Sequence, residues 1–283
     1  MCRLIKVLLL VAIIFSVVHF ESVSRVSVSD LYPEPNTIFK DRSGNILRWI
    51  PDVNGERHIW TSLENIPLVV QKAFISAEDH RFYSHPGVDA LAILRAVKSN
   101  FTEGHIVSGA STLTQQLSRM TYPRKRTYYD KLVELLRSLR IELLLDKEQI
   151  LELYLNRVPL GNNLVGVKAG SKVYFGKILS RLTHSEAAML AALPKAPGKL
   201  NPYGRNISSL IERKNWVLRK MHINGHIGSD MLHGSLQDTP VLKPKSFPFG
   251  APHFINQVLP LSGKGNLTTT IDSKLQNRIE QIL

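Results

Sequence analysis

The chain has 283 residues, a formal net charge of +13 and a single cysteine, Cys2. This length can bury a sizeable core in one large domain, or in one domain plus a fragment. A lone cysteine excludes an intrachain disulfide and a cysteine-based zinc site. The excess of basic residues predicts an anionic partner, which can be a nucleic acid, an anionic lipid or a phosphorylated substrate.

The N-terminus carries an uncharged apolar run, residues 7–18, directly after Arg3 and Lys6. The run is shorter than the roughly 20 residues that span a bilayer comfortably, but flanking apolar residues lengthen it if Lys6 snorkels. We predict an uncleaved signal anchor and transmembrane helix over residues 1–21. The alternative is a secretory signal peptide, although the following serines fit a small-x-small cleavage site only loosely. Basic residues ahead of the span place the bulk of the chain outside the cytoplasm.

The rest of the chain divides by composition and pattern into three regions. Residues 22–60 are predicted to form a juxtamembrane linker and a β-hairpin, with strands at 37–39 and 46–50 around an Asp-Arg-Ser-Gly-Asn turn. Residues 61–222 carry a helical pattern and form the main domain. Residues 223–283 are richer in Gly, Pro and Ser, and we predict a linker and the start of a truncated second domain.

Local signals place individual elements within these regions. Pro67 suits a first helical turn, Asp146 begins a further helix, and residues 183–186 form a capping box. Residues 267–271 read as a strand, and Asp272 caps a helix that runs to the end of the chain. Five leucines predict the buried seam of one long helix: Leu132, Leu135, Leu136, Leu139 and Leu143.

Glu78 is the first candidate for chemistry. It follows an apolar helical turn and precedes Phe82 and Tyr83. A carboxylate flanked by aromatic rings is partly desolvated, which raises its pKa and makes it a better general base. Repulsion from the neighbouring charge of Asp79 raises the pKa of Glu78 in the same direction. The alternative is a surface carboxylate at a helix end. His85 is a second candidate base, but its place before Pro-Gly favours a role in shaping the turn.

A polar loop, residues 109–116, reads Gly-Ala-Ser-Thr-Leu-Thr-Gln-Gln. Thr112 and Gln115 fit a capping box, so a structural interpretation is strong for those two side chains. The same geometry also suits function, because a helix N-terminus presents free N–H groups to anions. Further hydrogen-bonding capacity comes from Ser111, Thr114 and Gln116. Alone, this loop is a weak signal.

Glu134 is the second candidate carboxylate. At about 100° per residue it lies roughly opposite the leucine seam, with Lys131 and Arg137 three residues to either side. The alternative is a solvated, salt-bridged helix face. An excess of cations in this region suits a pyrophosphate or a nucleic-acid backbone. No zinc-finger spacing, RNP-like motif or clear helix-turn-helix supports nucleic acid. Residues 119–140 contain seven cations and two acids, namely Arg119, Arg124, Lys125, Arg126, Lys131, Arg137 and Arg140 against Asp130 and Glu134.

In their order along residues 66–218, these stretches resemble glycosyltransferase family 51, the peptidoglycan glycosyltransferase domain of class A penicillin-binding proteins. Residues 78–82 match the family's Glu-Asp-x-x-Phe motif. Residues 109–116 match Gly-Gly-Ser-Thr-x-Thr-Gln-Gln, with Ala110 in place of the second glycine.

Three later motifs continue the resemblance. Residues 126–134 match Arg-x-x-x-Arg-Lys-x-x-Glu, with Asp130 in place of the second arginine. Residues 147–156 and 174–177 match the last two motifs of the family. The amino-acid sequences in and around the first two motifs are most similar to those of the 1C type of these proteins.

The resemblance implies a mainly α, two-lobed, lysozyme-like glycosyltransferase fold, attached by a single-pass anchor to the bacterial inner membrane with its catalytic domain on the periplasmic or extracellular side. It implies polymerisation of lipid II into glycan strands, with inversion at the donor sugar carbon and release of undecaprenyl pyrophosphate. Glu78 would take the proton from the acceptor 4-hydroxyl, and Glu134 with Arg126 and Lys131 would position and neutralise the leaving group. The other implied substrate-binding residues are Asp79, Phe82, Ser111, Thr114, Gln115, Gln116, Arg119 and Asn156.

The resemblance also bounds cofactors and partners. No cofactor is required, and no residue is a certain metal ligand; Glu134 is the one candidate ligand for Mg²⁺ or Mn²⁺. The expected partners are lipid II, the growing glycan strand, the cytoplasmic membrane and cell-wall synthesis proteins, with no nucleic acid.

Two departures from the family pattern leave other functions open. Asp130 adds an anion beside the expected pyrophosphate site. The chain also lacks the Ser-x-x-Lys and Lys-Thr-Gly motifs of a transpeptidase, so it reads as a glycosyltransferase half. These departures favour a catalytically impaired remnant that acts as an assembly partner, whereas the retained Glu78 and Glu134 oppose that interpretation. A lysozyme-like lytic hydrolase that uses Glu78 as its acid is the other alternative.

Overall fold

The computed structural model describes residues 18–103, 111–125, 127–205 and 207–282. Helices predominate among them, which confirms a mainly α fold class. The helices are α1 (Val28–Leu31), α2 (Leu68–Glu78), α3 (Ala90–Glu103), α4 (Leu113–Thr121), α5 (Tyr128–Leu144), α6 (Lys147–Arg157), α7 (Val167–Gly170), α8 (His184–Ala192), α9 (Ile207–Ile223), α10 (Ser229–Gln237), α11 (Pro252–Val258) and α12 (Ser273–Ile282). The strands are β1 (Thr37–Lys40), β2 (Ile46–Ile50), β3 (Arg57–His58), β4 (Pro159–Gly161), β5 (Leu164–Val165) and β6 (Gly265–Thr268).

The predicted anchor over residues 1–21 lies largely outside the described residues. Its C-terminal end, residues 18–23, is helical. Within the four described ranges, no helix combines the length and the apolar character needed to cross a membrane. The anchor therefore stays a prediction, as does the two-lobed, lysozyme-like arrangement.

Two compact units form among the described residues. The first lies within Met1–Tyr32 and Glu78–Tyr154, and the second within Pro33–Ala77 and Leu155–Leu283. In the first unit, α4 packs along α5, and α1 contacts α4. The first unit contains the candidate carboxylates Glu78 and Glu134.

The buried face of α5 differs from the predicted leucine seam. Leu132 and Leu143, the two ends of that seam, are 44% and 85% exposed. The stripe that is buried instead runs through Val133, Arg137 and Ile141. The predicted seam is therefore wrong at both ends, whereas its three middle leucines are half-buried. Glu134 is largely buried and contacts Arg119 of α4, so its carboxylate does not lie on a solvated side of the helix.

The second unit contains the predicted β-hairpin. β1 and β2 pair antiparallel, with Thr37 opposite Ile50, which confirms the hairpin. β6 pairs with the other side of β1 as a parallel strand. The predicted strand at 267–271 is therefore present, but it begins two residues earlier and ends three residues earlier than predicted. Phe39, Leu47 and Ile255 form the core on this sheet.

α8 is the most buried helix of the second unit. This helix is buried along nearly its whole length and packs against α9, which in turn contacts α10. The capping box predicted at residues 183–186 is confirmed, since Thr183 accepts from the N–H of Glu186 and the Glu186 side chain accepts from that of Thr183. Asp272 caps α12 as predicted, accepting from the backbone N–H groups of Lys274 and Leu275.

Candidate active site

Glu78 is the last residue of α2 and is partly buried. In the preceding turns of α2, Val70, Ala73 and Phe74 are buried. The Nε2 amide group of Gln116 donates a hydrogen bond of 2.8 Å to Glu78 Oε2. The structure therefore brings together the candidate base and one residue of the predicted polar loop.

Asp79 has a different environment from its neighbour Glu78. Its carboxylate is buried and accepts from His85 Nε2 at 3.0 Å and from the backbone N–H of Leu113 at 3.0 Å. Leu113 is the first residue of α4, so Asp79 ties the start of α4 to the end of α2. The role of Asp79 in substrate binding stays a prediction, because the contacts seen here are made with the protein itself.

The turn at residues 85–87 makes a second contact with the start of α4, in addition to the contact made by Asp79. Gly87 has φ +84°, and a Cβ there would meet the backbone oxygen of Ser138 at 2.9 Å, so only glycine fits this close approach. The Gly87 carbonyl accepts from Thr112 Oγ1 at 2.6 Å. His85 shapes this turn as predicted: it is buried, and its carbonyl accepts from Lys147 Nζ at 2.7 Å.

The first turn of α4 has the predicted capping box. Thr112 Oγ1 accepts from Gln115 N–H at 3.1 Å, and Gln115 Oε1 accepts from Thr112 N–H at 3.3 Å. Thr114 is fully buried, and its hydroxyl donates to Glu142 Oε1 at 2.5 Å. Lys147 Nζ donates to the same carboxylate oxygen at 2.8 Å. Thr114 therefore faces a charged network inside the protein, and its substrate contact stays a prediction.

Glu134 lies between two cations. Lys131 Nζ contacts Glu134 Oε1, and Arg119 Nη1 lies 3.6 Å from Glu134 Oε2. The carboxylate is 12% exposed, whereas the two cations are 49% and 47% exposed. Lys131 Nζ also contacts Ser111 Oγ at 3.1 Å and Gln115 Oε1 at 3.5 Å. The structure thus brings together five predicted site residues, two of which are exposed cations.

These contacts bear on the expected metal ligand. Glu134 has cations as its ion-pair partners among the described residues, and a set of hard oxygen ligands for Mg²⁺ or Mn²⁺ is not assembled around it there. The described residues do contain one group with metal-ligand spacing, formed by Asp79, His85 and Asp89. Its carboxylates already contact His85 and Arg81, the latter 3.6 Å from Asp89. The role of Glu134 as a ligand for Mg²⁺ or Mn²⁺ stays a prediction.

Asp130, the departure from the family motif, stands at the start of α5. Its backbone N–H donates to Thr127 Oγ1 at 3.0 Å, and Thr127 Oγ1 lies 2.7 Å from Asp130 Oδ2. Its ion-pair partner is Arg124, 3.4 Å away. An acid in the first turn also suits the helix dipole. Asp130 is therefore part of a helix N-cap.

The other predicted site residues have varied surroundings. Phe82 is fully buried, with Lys147 Nζ 4.5 Å from its ring centroid. Asn156, in the second unit, is buried and bonded to the backbone of Thr61 through Oδ1 at 2.9 Å and Nδ2 at 2.8 Å. Substrate contacts of both residues stay predictions. Arg126 and residues 104–110 lie outside the described residues.

Sequence reasoning did not select Tyr154 as a site residue. This tyrosine lies on α6, is fully buried, and its hydroxyl lies 3.4 Å from Gln116 Oε1. Burial, followed by the charge of Glu78, raises the pKa of Tyr154 well above its ordinary value. The sequence signal for this residue is a side chain with a polar tip in the mostly apolar segment Ile-Leu-Glu-Leu-Tyr-Leu, because a buried tyrosine hydroxyl usually needs a hydrogen-bond partner.

Comparison with known proteins agrees with this arrangement of motifs. A family model described as Transglycosylase matches residues 43–222, and the chain belongs to that family. Penicillin-binding protein 1C of Escherichia coli K12 is 36% identical over 88% of this chain and 32% of that protein. Penicillin-binding protein 1A of the same organism is 45% identical over 61% of this chain and 20% of that protein. The predicted resemblance is therefore confirmed.

A solved structure is also similar to the chain. The crystal structure of penicillin-binding protein 1A from Haemophilus influenzae aligns with 88% of this chain and 29% of that chain, at 23% sequence identity and a TM-score of 0.47. The chain spans a third or less of the length of these relatives.

Proposed function

We propose that the protein is a peptidoglycan glycosyltransferase that polymerises lipid II into glycan strands. One observation carries the proposal: Gln116 and Arg119, three residues apart on α4, contact Glu78 and Glu134 respectively. One helix face therefore joins the candidate base to a carboxylate flanked by exposed cations. A group transfer from a sugar pyrophosphate requires both features, because a proton must be removed at one end and negative charge stabilised at the other.

The proposed reaction assigns a role to each end of that face. Glu78 takes the proton of the acceptor 4-hydroxyl while that oxygen forms a bond to C1 of the lipid-linked donor. The bond from C1 to the pyrophosphate oxygen breaks with inversion, and undecaprenyl pyrophosphate leaves with the electron pair. Lys131 and Arg119 lie exposed beside Glu134 and stabilise the leaving charge, and we assign Arg126 to the same role.

Further parts of the proposal concern the setting of the enzyme. The substrate is carried by a lipid, so we place the catalytic domain at the outer face of the inner membrane, held by the N-terminal apolar run. The proposal requires no cofactor, and no step is routed through a metal, because Glu134 is paired with two cations. Cell-wall synthesis proteins are the expected protein partners.

The test is to incubate the full chain in detergent with labelled lipid II and, separately, with finished glycan. Polymer from lipid II is the expected result. Cleavage of finished glycan would instead identify a lytic hydrolase, and no reaction with either substrate would identify a catalytically impaired assembly partner. Glu78→Gln protein serves as the control for contaminating polymerase.

A further inference from the structure

Tyr154 and Gln116 form a chain of contacts that ends on Glu78. The Tyr154 hydroxyl lies 3.4 Å from Gln116 Oε1, and Gln116 Nε2 lies 2.8 Å from Glu78 Oε2. The first contact is long for an O–H···O hydrogen bond, but contacts of this kind in a catalytic site are often long without substrate and shorten in the complex. The amide of Gln116 thus stands between a phenol and a carboxylate.

The chemistry of the two ends favours one orientation of that amide. An ionised carboxylate only accepts hydrogen bonds, so the NH₂ group of Gln116 must face Glu78. The raised pKa of Tyr154 keeps its hydroxyl protonated, so the hydroxyl can donate to the amide carbonyl at any working pH. Arg119 and Asp79 are the other charged groups that act on Tyr154.

We propose that Tyr154 is a positioning residue for glycosyl transfer, and that its hydroxyl holds the Gln116 amide in the orientation that donates to Glu78. The inference rests on the proposed role of Glu78 as the base. A hydrogen bond donated to a carboxylate favours its charged form, so the hydroxyl acts through Gln116 to keep Glu78 able to accept a proton. Without the hydroxyl, the amide can rotate, and its carbonyl then favours the protonated carboxyl group.

Tyr154→Phe tests the proposal through the pH dependence of polymerisation. We expect kcat to fall severalfold, KM for lipid II to change little, and the acid limb of the kcat profile to move to higher pH by about half a unit to one unit. A purely structural role would lower the rate at every pH and leave the limb in place. Tyr174→Phe is the matched control, because Tyr174 is also buried and donates to the Leu160 carbonyl at 2.7 Å in the second unit. Its acid limb should coincide with that of the wild type.

A second readout does not depend on activity. The Glu78 carboxyl of the full chain can be titrated by carbon-13 NMR, with its signal assigned by its loss in Glu78→Gln. We expect the midpoint to rise in Tyr154→Phe and to stay in place in Tyr174→Phe. An unchanged midpoint in Tyr154→Phe overturns the inference, whether or not the wild type polymerises lipid II.

A double-mutant cycle provides the final check. Once Gln116→Met has removed the amide, the change at Tyr154 should move the Glu78 midpoint no further. Additive shifts would show that Tyr154 does not act through Gln116. Absence of polymer from the wild type would instead count against the proposed function, and the titration would still decide the role of Tyr154.

Discussion

α4 and α8 begin with the same sequence device but have different surroundings. Thr112 and Gln115 form a capping box at the start of α4, and Thr183 and Glu186 form one at the start of α8. In both helices the third residue also contacts a lysine. Gln115 lies 3.5 Å from Lys131, and Glu186 lies 2.6 Å from Lys177.

The charge at that third position separates the two regions. Glu186 neutralises Lys177 in the second unit, and the residues of α8 that follow it, 187–192, are buried and apolar. Gln115 is neutral and does not neutralise Lys131. Lys131 instead forms an ion pair with Glu134, and its side chain stays partly exposed to solvent. A capping box therefore shows where a helix begins, whereas a site depends on the groups that neighbouring segments bring to that helix end.

The largest expected effect comes from Glu78→Gln. An amide cannot accept a proton at neutral pH, so we expect polymerisation to fall by about a hundredfold or more while the fold is kept. Lipid II polymerisation and circular dichroism measure the two quantities. Retention of more than about a tenth of the wild-type rate would show that Glu78 is not the base.

Lys131→Met and Lys177→Met form a matched pair that tests the comparison directly. We expect Lys131→Met to lower activity about tenfold or more with little change in stability, because an exposed cation for the pyrophosphate is lost and Glu134 keeps Arg119.

Lys177→Met should show the opposite behaviour. It leaves a buried carboxylate without its ion pair, so we expect the free energy of unfolding to fall by about 1 kcal/mol with activity per folded molecule unchanged. Denaturant titration and polymerisation assays separate the two effects. The same pattern in both variants would contradict the distinction between site and scaffold.

Gln115→Glu converts the start of α4 into the arrangement found in α8. A glutamate at this position keeps the capping box and suits the helix N-terminus, so stability should be equal or slightly higher. The new carboxylate would neutralise Lys131, and we expect a severalfold loss of activity that shrinks with added salt. Unchanged activity at low salt would mean that the charge of Lys131 is not used.

Asp130→Arg has the smallest expected effect. The substitution adds a cation one turn before Glu134 and should strengthen binding of lipid II about severalfold at low salt, less at high salt. It also removes the acid that pairs with Arg124 and lies against Thr127 in the N-cap, so stability should fall by about 0.5 to 1 kcal/mol. Binding titrations at two salt concentrations, with thermal unfolding, check both effects. Equal affinities at low salt would place this helix face away from the donor.

Burial on α5 shows where sequence reasoning failed. The leucine pattern predicts that Leu143 is buried, but Leu143 is exposed, and Val133 and Arg137 are buried instead. Arg137 is buried because its guanidinium stacks on Tyr122 at 4.3 Å and donates to the Val23 carbonyl at 2.6 Å. Periodicity identifies a stripe of apolar residues, but not the neighbour that covers it.

The sequence by itself determined the local elements and the family. The hairpin, both capping boxes and the caps at Asp146 and Asp272 follow from contacts between residues close in the chain, and ordered motifs identified the transglycosylase family. The tertiary structure decided the partners of each side chain. Glu78 and Asp79 are neighbours in the chain, yet Asp79 contacts His85 and Leu113 whereas Glu78 contacts Gln116. Two of these contacts, to Leu113 and to Gln116, join residues more than 30 positions apart, so they form only when the chain folds.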